Sequence, residues 1–302
     1  MLIANPIYDL VFKYLMENLE IAKGIIASII DQEIVTLDFK AQESLYKSET
    51  ERSFTVYHLD FIAKIRLEQG EYKNVLIELQ KSNLPYDIMR FRRYVGEQYK
   101  KEDEVLEADG QTVSKEAFPI ITIFFLGFYI SKTLPGVIKV DRKYIDVLNG
   151  KEITERSDFI ERLTHDSYVI QVPALELKMK TRLEWVLSVF KQENFIEESS
   201  RRLKTYEFEP EDDLMRLILR QLQKAAGNKE LLKKLELEEM AEREYENAFG
   251  EMERKLMKKE KALVEKDELI KEKEVLLKEK DELIAKMKRE MEKLKKKTGF
   301  NE

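Results

Sequence analysis

Two candidate β-strands follow one another in the stretch from Phe54 to Gln80, which reads F-T-V-Y-H-L-D-F-I-A-K-I-R-L-E-Q-G-E-Y-K-N-V-L-I-E-L-Q. Aromatic and β-branched residues fill both arms of this stretch, and its only glycine, Gly70, lies between them. That pattern is typical of two strands joined by a short turn. The sequence therefore predicts a β-hairpin with its turn at Glu68-Gln69-Gly70-Glu71.

Three polar side chains are expected to meet on one face of this hairpin. Successive side chains of a strand point to opposite faces, so Glu78 and Gln80 share a face and Lys81, which follows Gln80, is expected on the opposite one. If the turn centres on Gln69 or Gly70, antiparallel pairing puts Asp60 opposite Glu78 or Gln80. Two carboxylates at that separation repel each other, and a bound cation removes the penalty. An ion that prefers oxygen ligands, such as Mg²⁺, is the natural candidate.

Helices and strands are predicted on both sides of the hairpin. Ile120 to Ile130 is almost wholly apolar, as expected of a strand buried on both faces of a mixed sheet. These patterns predict an α/β fold with a mixed central sheet flanked by helices. The further predictions are a helix start at Asn5-Pro6, helices at Leu19–Asp31, Tyr86–Tyr99, Met179–Lys191 and Asp212–Ala226, strands at Ile34–Phe39 and Tyr168–Leu175, and a polar loop at Lys100–Glu116.

The order of these elements resembles the core of the PD-(D/E)xK nucleases, and more narrowly the Rpn group of recombination-promoting nucleases and transposases. The resemblance implies a restriction-endonuclease-like core and Mg²⁺-dependent cleavage of DNA in recombination, with RNA left open as a substrate. It covers roughly the first two-thirds of the chain. The segments that carry it are N-P-I-Y-D-L-V-F-K at Asn5–Lys13, L-D-F at Leu59–Phe61, I-E-L-Q at Ile77–Gln80 and R-F-R-R-Y at Arg90–Tyr94, with a weaker echo at Val172–Met179 and Leu183–Leu187.

The resemblance also implies roles for individual residues. Asp60 and Glu78 would hold the Mg²⁺ ion, and Gln80 would position the attacking water. In the wider superfamily a lysine stands at the position of Gln80, where its charge can stabilise the phosphate. The Rpn group resembles this sequence in having glutamine, which leaves that charge to the metal or to another cation. The candidates for that cation are Lys13, Arg90 and Arg93.

Each further candidate has a structural alternative. Asp9 and Lys13 either edge the site or form an ordinary surface pair four residues apart on a helix. Arg90 and Arg93 either face a phosphate, which suits the arginine fork, or pin their helix to the sheet. Glu43 either joins the site or is a solvated strand end. His58 is expected to be packed or hydrogen-bonded and not to bind a metal.

Composition excludes several classes of site. The 302-residue chain has no cysteine, so disulfides and thiolate metal sites are absent, and only two histidines, too few for a His-rich zinc site. No signal peptide is visible at the first residues, and the longest apolar run, 118–130, is too short to span a bilayer. We therefore expect a cytoplasmic protein with no membrane partner.

Charge and periodicity change towards the C-terminus. Residues 251–300 include 17 basic and 13 acidic residues, a net charge of +4. Because the whole chain has a net charge of −6, the rest of the chain carries −10. An acidic body argues against non-specific coating of DNA. Six apolar residues recur every seven positions in the tail: Leu256, Leu263, Ile270, Leu277, Ile284 and Met291. This spacing is typical either of a coiled coil that makes a dimer through 251–297 or of a solvated single helix.

The expected organisation is a nuclease-like domain at 1–205, a helical extension at 206–250 and a long charged helix at 251–302. Two functions are compatible with these features. One is a metal-dependent endonuclease. The other is a catalytically inactive protein of the same fold that binds or assembles through its C-terminal helix.

Overall fold

The computed structural model describes residues 1–39, 61–81, 87–106, 113–197, 200–210 and 212–298. The strands are β1 (Leu2–Ala4), β2 (Ile34–Phe39), β3 (Phe61–Leu67), β4 (Tyr72–Gln80), β5 (Asp103–Leu106), β6 (Val113–Glu116), β7 (Ile120–Leu126), β8 (Val137–Val140), β9 (Tyr144–Ile145), β10 (Glu152–Ile153), β11 (His165–Gln171), β12 (Phe195–Glu197) and β13 (Ser200–Thr205). The helices are α1 (Asp9–Met16), α2 (Leu19–Ile30), α3 (Asp87–Lys100), α4 (Asp158–Leu163), α5 (Arg182–Ser188), α6 (Asp213–Gly227) and α7 (Lys229–Thr298).

A six-stranded mixed sheet forms the centre of the fold, in the order β2-β3-β4-β7-β11-β8. The adjacent strands β4, β7 and β11 are parallel to one another, and the other neighbours pair antiparallel. Parallel neighbours need a crossover connection, and α3 lies in the one between β4 and β7. The predicted α/β class with a mixed sheet flanked by helices is confirmed.

The hairpin of β3 and β4 has one of the two predicted registers. The two numbers of each pair add up to 138, from Phe61 opposite Ile77 to Arg66 opposite Tyr72, so the turn centres on Gln69. Gly70 has φ of +89°, a conformation that glycine adopts without strain. Its backbone N–H donates to the carbonyl of Leu67 at 2.9 Å. The first part of the predicted hairpin, 54–60, lies outside the described residues.

Two apolar layers cover the two faces of the sheet. On one face, α1, α2 and α6 pack against strand residues such as Val75, Ile77 and Ile123; we call this the α1 face. On the other, Phe91, Tyr94 and Val95 of α3 pack against Ile62, Leu76 and Ile120; we call this the α3 face. Since side chains alternate along a strand, even-numbered residues of β4 belong to the α3 face and odd-numbered ones to the α1 face.

The predicted helix start at Asn5-Pro6 is wrong. The short strand β1 pairs with β13 up to Ala4, so the chain is still extended when it reaches Asn5, and α1 begins only at Asp9. The buried Asn5 side chain instead donates to the carbonyl of Arg201 at 2.8 Å. The side-chain amides of Asn5 and Gln192 also donate to each other's oxygen atoms, at 2.9 Å and 3.0 Å respectively. The asparagine therefore joins the start of the chain to the segment before β12.

Four other predictions are also corrected. β7 ends at Leu126 and not at Ile130, because Gln171 takes over the backbone N–H groups of Ile130 and Ser131. β11 ends at Gln171, and a 3₁₀ turn with Pro173 follows, since proline cannot donate to a ladder. The predicted polar loop at Lys100–Glu116 contains the paired strands β5 and β6. The predicted helix at Met179–Lys191 is shorter, because Thr181 and Glu184 form a capping box that starts α5 at Arg182.

The chain divides into two compact units, Met1–Leu235 and Glu236–Glu302. The first unit contains the central sheet and also α6, and the second consists of most of α7. Among the described residues, no helix combines the length and the apolar character that crossing a bilayer requires.

Candidate functional site

Glu78 and Gln80 lie side by side at the carboxyl end of β4, on the α3 face. Glu78 is fully buried and Gln80 is 8% exposed. In the parallel register they stand opposite Phe124 and Leu126 of β7. The prediction that these two side chains share one face is thus confirmed, and the strand that carries them is a central one. Ligand sites of open α/β sheets form outside the carboxyl ends of the strands, which is where this pair lies.

Apolar side chains of the α3 face lie next to Glu78. Leu76 precedes it on the same face, and the ring of Phe91 lies 4.2 Å from that of Phe124, centroid to centroid. A carboxylate in such a layer is stable only with hydrogen bonds or an opposite charge close to it. The carboxylate and the Gln80 amide supply oxygen donors, which suits a hard divalent cation.

The position of Gln80 is fixed by the neighbouring strand. Gly127, the first residue after β7, donates its N–H to the carbonyl oxygen of Gln80 at 2.7 Å. A Cβ atom at Gly127 would lie 2.6 Å from the carbonyl oxygen of Lys81, so no other residue fits without movement. The Nε2 atom of Gln80 is buried and makes no hydrogen bond within the described part of the chain, which leaves it available to a water or a ligand.

The predicted partner Asp60 lies outside the described residues, as do Glu43 and His58. The ladder of β3 and β4 is described up to Phe61 opposite Ile77. Within the described ranges, no group of three His, Cys, Asp or Glu side chains forms a metal site. Glu78 and Gln80 supply oxygen atoms of the kind that a hard cation binds. A complete set of metal ligands would need a third donor, such as Asp60.

Asp9 and Lys13 bind each other. The Lys13 ammonium donates to the Asp9 carboxylate at 2.7 Å, across one turn of α1, and both side chains are about a third exposed. α1 packs on the α1 face, where the Phe12 ring lies 5.7 Å from that of Phe125. Glu78 and Gln80 point to the other face. The role of Asp9 and Lys13 in the site stays a prediction.

Arg90 and Arg93 are both in α3, the helix that covers the α3 face. Arg93 is exposed, so it does not pin the helix to the sheet; the aromatic residues Phe91 and Tyr94 do that. The side chain of Arg90 lies outside the described part of the structure. A phosphate contact by either arginine stays a prediction.

A second set of cations lies at the same edge, on the α1 face. The prediction that Lys81 points away from Gln80 is confirmed, since its ammonium lies 3.6 Å from the centroid of the Tyr8 ring. Lys191 and Arg201 line a cavity together with Lys81. Neither residue could be predicted from the sequence, because both come from segments more than 100 positions from Lys81 and no local pattern marks them.

A buried lysine, Lys204, contacts the segment that carries Lys191 and is 2% exposed. Burial lowers the pKa of its ammonium to about 7. The Glu193 carboxylate acts to raise this pKa, and the Lys191 ammonium acts to lower it further. Its Nζ donates to the backbone carbonyl of Lys191. Lys204 thus holds the chain segment that carries Lys191.

Comparison of the chain with protein-family models, with curated proteins and with solved structures found no match. The function is therefore inferred from the residues and their geometry.

Proposed function

We propose that this chain is a metal-dependent endonuclease that hydrolyses DNA phosphodiester bonds at the carboxyl end of β4, on a restriction-endonuclease-like core. The observation that carries the proposal is the register of the hairpin. The described pairs stop at Phe61 opposite Ile77, and one further pair in the same register would set Asp60 opposite Glu78. The Rpn-like motifs of the sequence support the same assignment.

In this proposal each residue has a separate task. Asp60 and Glu78 would bind Mg²⁺, which supplies an activated water and stabilises the charge on the scissile phosphate. Gln80 carries no charge, but its amide can orient a water by a hydrogen bond. The buried Nε2 atom of Gln80 has no hydrogen-bond partner among the described residues, which supports that task. α3 covers the same face, so Arg90 and Arg93 are the cations that we propose for the phosphate.

A metal would also suit the buried position of Glu78. A fully buried carboxylate is costly unless a cation or several hydrogen bonds compensate it. Two carboxylates facing each other across a strand pair would raise that cost further, and a divalent ion would offset it.

The test is cleavage of supercoiled plasmid DNA and of single-stranded RNA with and without Mg²⁺. We expect the wild type to nick the plasmid only with the metal, and Asp60→Asn and Glu78→Gln to lose activity by about a thousandfold or more, the size of effect seen when a principal catalytic group is removed. Glu176→Gln is the matched control, because Glu176 is an exposed carboxylate after the 3₁₀ turn. Equal rates for Glu78→Gln and Glu176→Gln would exclude Glu78 as a ligand.

A second proposed function is self-association through α7, with or without cleavage. The observation that favours it is an exposed apolar stripe: Leu263, Ile270, Leu277, Ile284 and Met291 are each at least half exposed in the single chain. They recur every seven residues, the spacing of a coiled-coil seam. Burial of such a stripe against a second copy would remove apolar surface from water.

A further inference from the structure

A cavity of about 370 Å³ opens at the carboxyl edge of the sheet, on the α1 face. Lys81 enters it from the end of β4, Lys191 from the segment before β12, and Arg201 from β13. Its apolar wall includes Ile7 and Leu175. The cavity lies wholly within the first compact unit.

The charge of this cavity is opposite to that of the body around it. The described residues that line it include three cationic side chains and one carboxylate, Glu193, which pairs with Lys191 at 3.0 Å. No carboxylate of the described ranges lies within ion-pair distance of Arg201, whose guanidinium lies 5.3 Å from the centroid of the Phe195 ring. An excess of positive charge in an acidic chain favours an anionic ligand at this place.

The walls of the cavity are held in place before any ligand arrives. Lys81 is set by its contact with the buried Tyr8 ring and by the close approach of Gly127 to its backbone. Gln192 donates to Asn5 Oδ1 at 3.0 Å and to the carbonyl of Phe190 at 2.7 Å. A preorganised site loses little entropy when it binds.

We propose that this cavity binds the phosphate group of a phosphate ester, with Lys81, Lys191 and Arg201 as its charge partners. An arginine fork with two ammonium groups suits the several oxygens of a phosphate better than the two of a carboxylate. The cavity is larger than one phosphate group, and its apolar wall offers a surface for the organic part of the ester.

The inference does not depend on cleavage by Glu78. Lys81 directly follows Gln80, and their side chains point to opposite faces, so the cavity and the proposed catalytic site lie on the two sides of one strand end. A phosphate here belongs either to a nucleic acid that crosses this edge or to a small phosphate ester. Both sources share the chemistry that the cavity recognises.

The test measures binding by the full chain in the presence of a metal chelator, so that cleavage plays no part. The probes are a fluorescently labelled single-stranded oligonucleotide, followed by anisotropy, and inorganic phosphate, followed by calorimetry. The variant Lys191→Gln/Arg201→Gln removes two cations from the cavity. The control Lys132→Gln/Arg220→Gln removes two exposed cations elsewhere in the same unit, so the net charge of the two proteins is equal.

We expect the cavity variant to bind at least one probe about tenfold more weakly or worse, as expected when charge-assisted hydrogen bonds are lost, and the control to stay within about threefold of the wild type. Loss for the oligonucleotide alone assigns the phosphate to a polymer, and loss for inorganic phosphate as well extends the site to small ligands. The proposal is overturned if the wild type binds neither probe, or if the two variants lose affinity equally. Thermal denaturation of both variants verifies that they are folded.

Discussion

The backbone N–H of Gly127 donates a hydrogen bond of 2.7 Å to the carbonyl oxygen of Gln80, and this bond joins the ends of the two central parallel strands. Gln80 and Lys81 project to opposite faces of that junction. Gln80 lies beside Glu78 in the proposed catalytic site, and Lys81 lines the cationic cavity. The approach is close enough to exclude a Cβ atom at Gly127, which would lie 2.6 Å from the Lys81 carbonyl oxygen and 3.1 Å from its Cα. The geometry of both sites therefore depends on this glycine, which also lines the cationic cavity.

Gly127→Ala is expected to destabilise the fold by about 1–3 kcal/mol, the usual cost of overpacking against backbone. It should also move the end of β4, because the obstructing atoms are main-chain atoms that cannot rotate away. The measurement is the free energy of unfolding from urea denaturation of the full chain.

Gly96→Ala is the control for this substitution. Gly96 lies inside α3, and nothing stands within 4 Å of a Cβ added there. Alanine is favoured over glycine in a helix, so this variant should be about 0.5–1 kcal/mol more stable than the wild type. A Gly127→Ala protein as stable as Gly96→Ala would show that the strand junction is not tightly packed.

Mg²⁺ is expected to stabilise the folded protein through Glu78, independently of any cleavage. A ligand that binds only the folded state raises the free energy of unfolding by about 2.7 kcal/mol at one hundred times its dissociation constant. We expect a rise in the melting temperature of the wild type with millimolar Mg²⁺ that is absent from Glu78→Gln and Asp60→Asn. The exposed-residue variant Glu176→Gln should keep the rise, and an equal rise in all four proteins would place the metal elsewhere.

Lys204 is expected to make stability depend on pH between about 7 and 10.5. Burial lowers the pKa of this lysine to about 7, from an ordinary value of 10.5. In that range the unfolded chain holds a proton that the folded chain lacks, so stability rises as pH rises, by up to about 1.4 kcal/mol per pH unit. Below pH 7 the ammonium is charged in both states and contributes no slope.

Lys204→Met should remove this rise. Methionine fills a comparable volume without a charge, although the carbonyl of Lys191 then loses its donor, at a cost of about 1–3 kcal/mol. The measurement is urea denaturation at several pH values from 7 to 10. If the wild type and Lys204→Met have the same slope over this range, Lys204 is not the group that titrates.

The strand face of a residue could be predicted from the sequence, whereas its long-range partners could not. The period of two in β4 was sufficient to predict the shared face of Glu78 and Gln80 and the opposite face of Lys81. Gly70 narrowed the register of the hairpin to two alternatives, one of which the structure has. Those features depend only on residues within one hairpin. Asn5 shows the limit, because its local Asn-Pro pattern is that of a helix cap, yet pairing of β1 with β13 keeps it extended and gives it partners some 190 positions away.

The same limit applies to the cationic cavity and to the ends of β7 and β11. Lys191 and Arg201 meet Lys81 only after β12 and β13 have folded back on β1. The apolar run at 127–130 gave no sign that Gln171 would bind its backbone. Local pattern predicts the elements, and the contacts between distant elements then fix where each one stops.

Arg142 is expected to contribute more to stability than its place beside the edge strand β8 suggests. Its guanidinium donates to Asp166 at 2.9 Å and to Glu161 at 2.6 Å, and all three side chains are less than a quarter exposed. Within the described ranges, Arg142→Ala would leave Asp166 without an ion-pair partner and Glu161 with only the longer contact of 3.4 Å to Arg156, so we expect a loss of about 2–4 kcal/mol. Arg162→Ala is the control, because the Arg162–Glu116 pair is 3.4 Å long and more exposed; it should cost less than about 1 kcal/mol. Equal losses in urea denaturation would contradict the difference in burial.

Self-association through α7 is expected to depend on the seven-residue stripe and not on the charge of the helix. Leu277 and Ile284 are 60% and 50% exposed in the single chain, and a coiled coil would bury both. Leu277→Glu/Ile284→Glu should abolish association, since two carboxylates cannot be buried in such a seam without partners. The measurement is sedimentation equilibrium over a range of protein concentrations.

Arg289→Gln is the matched control for α7, because Arg289 is exposed and lies five positions from Ile284, away from the stripe. It should associate like the wild type. Because lysines occupy positions 266, 273 and 280, where a regular seam has its second apolar set, we expect a weak dimer whose affinity rises with salt as lysine repulsion is screened. A wild type that stays monomeric at every concentration and salt level would instead make α7 a solvated helix supported by its Glu–Lys pairs, and the exposed stripe would then need no second copy.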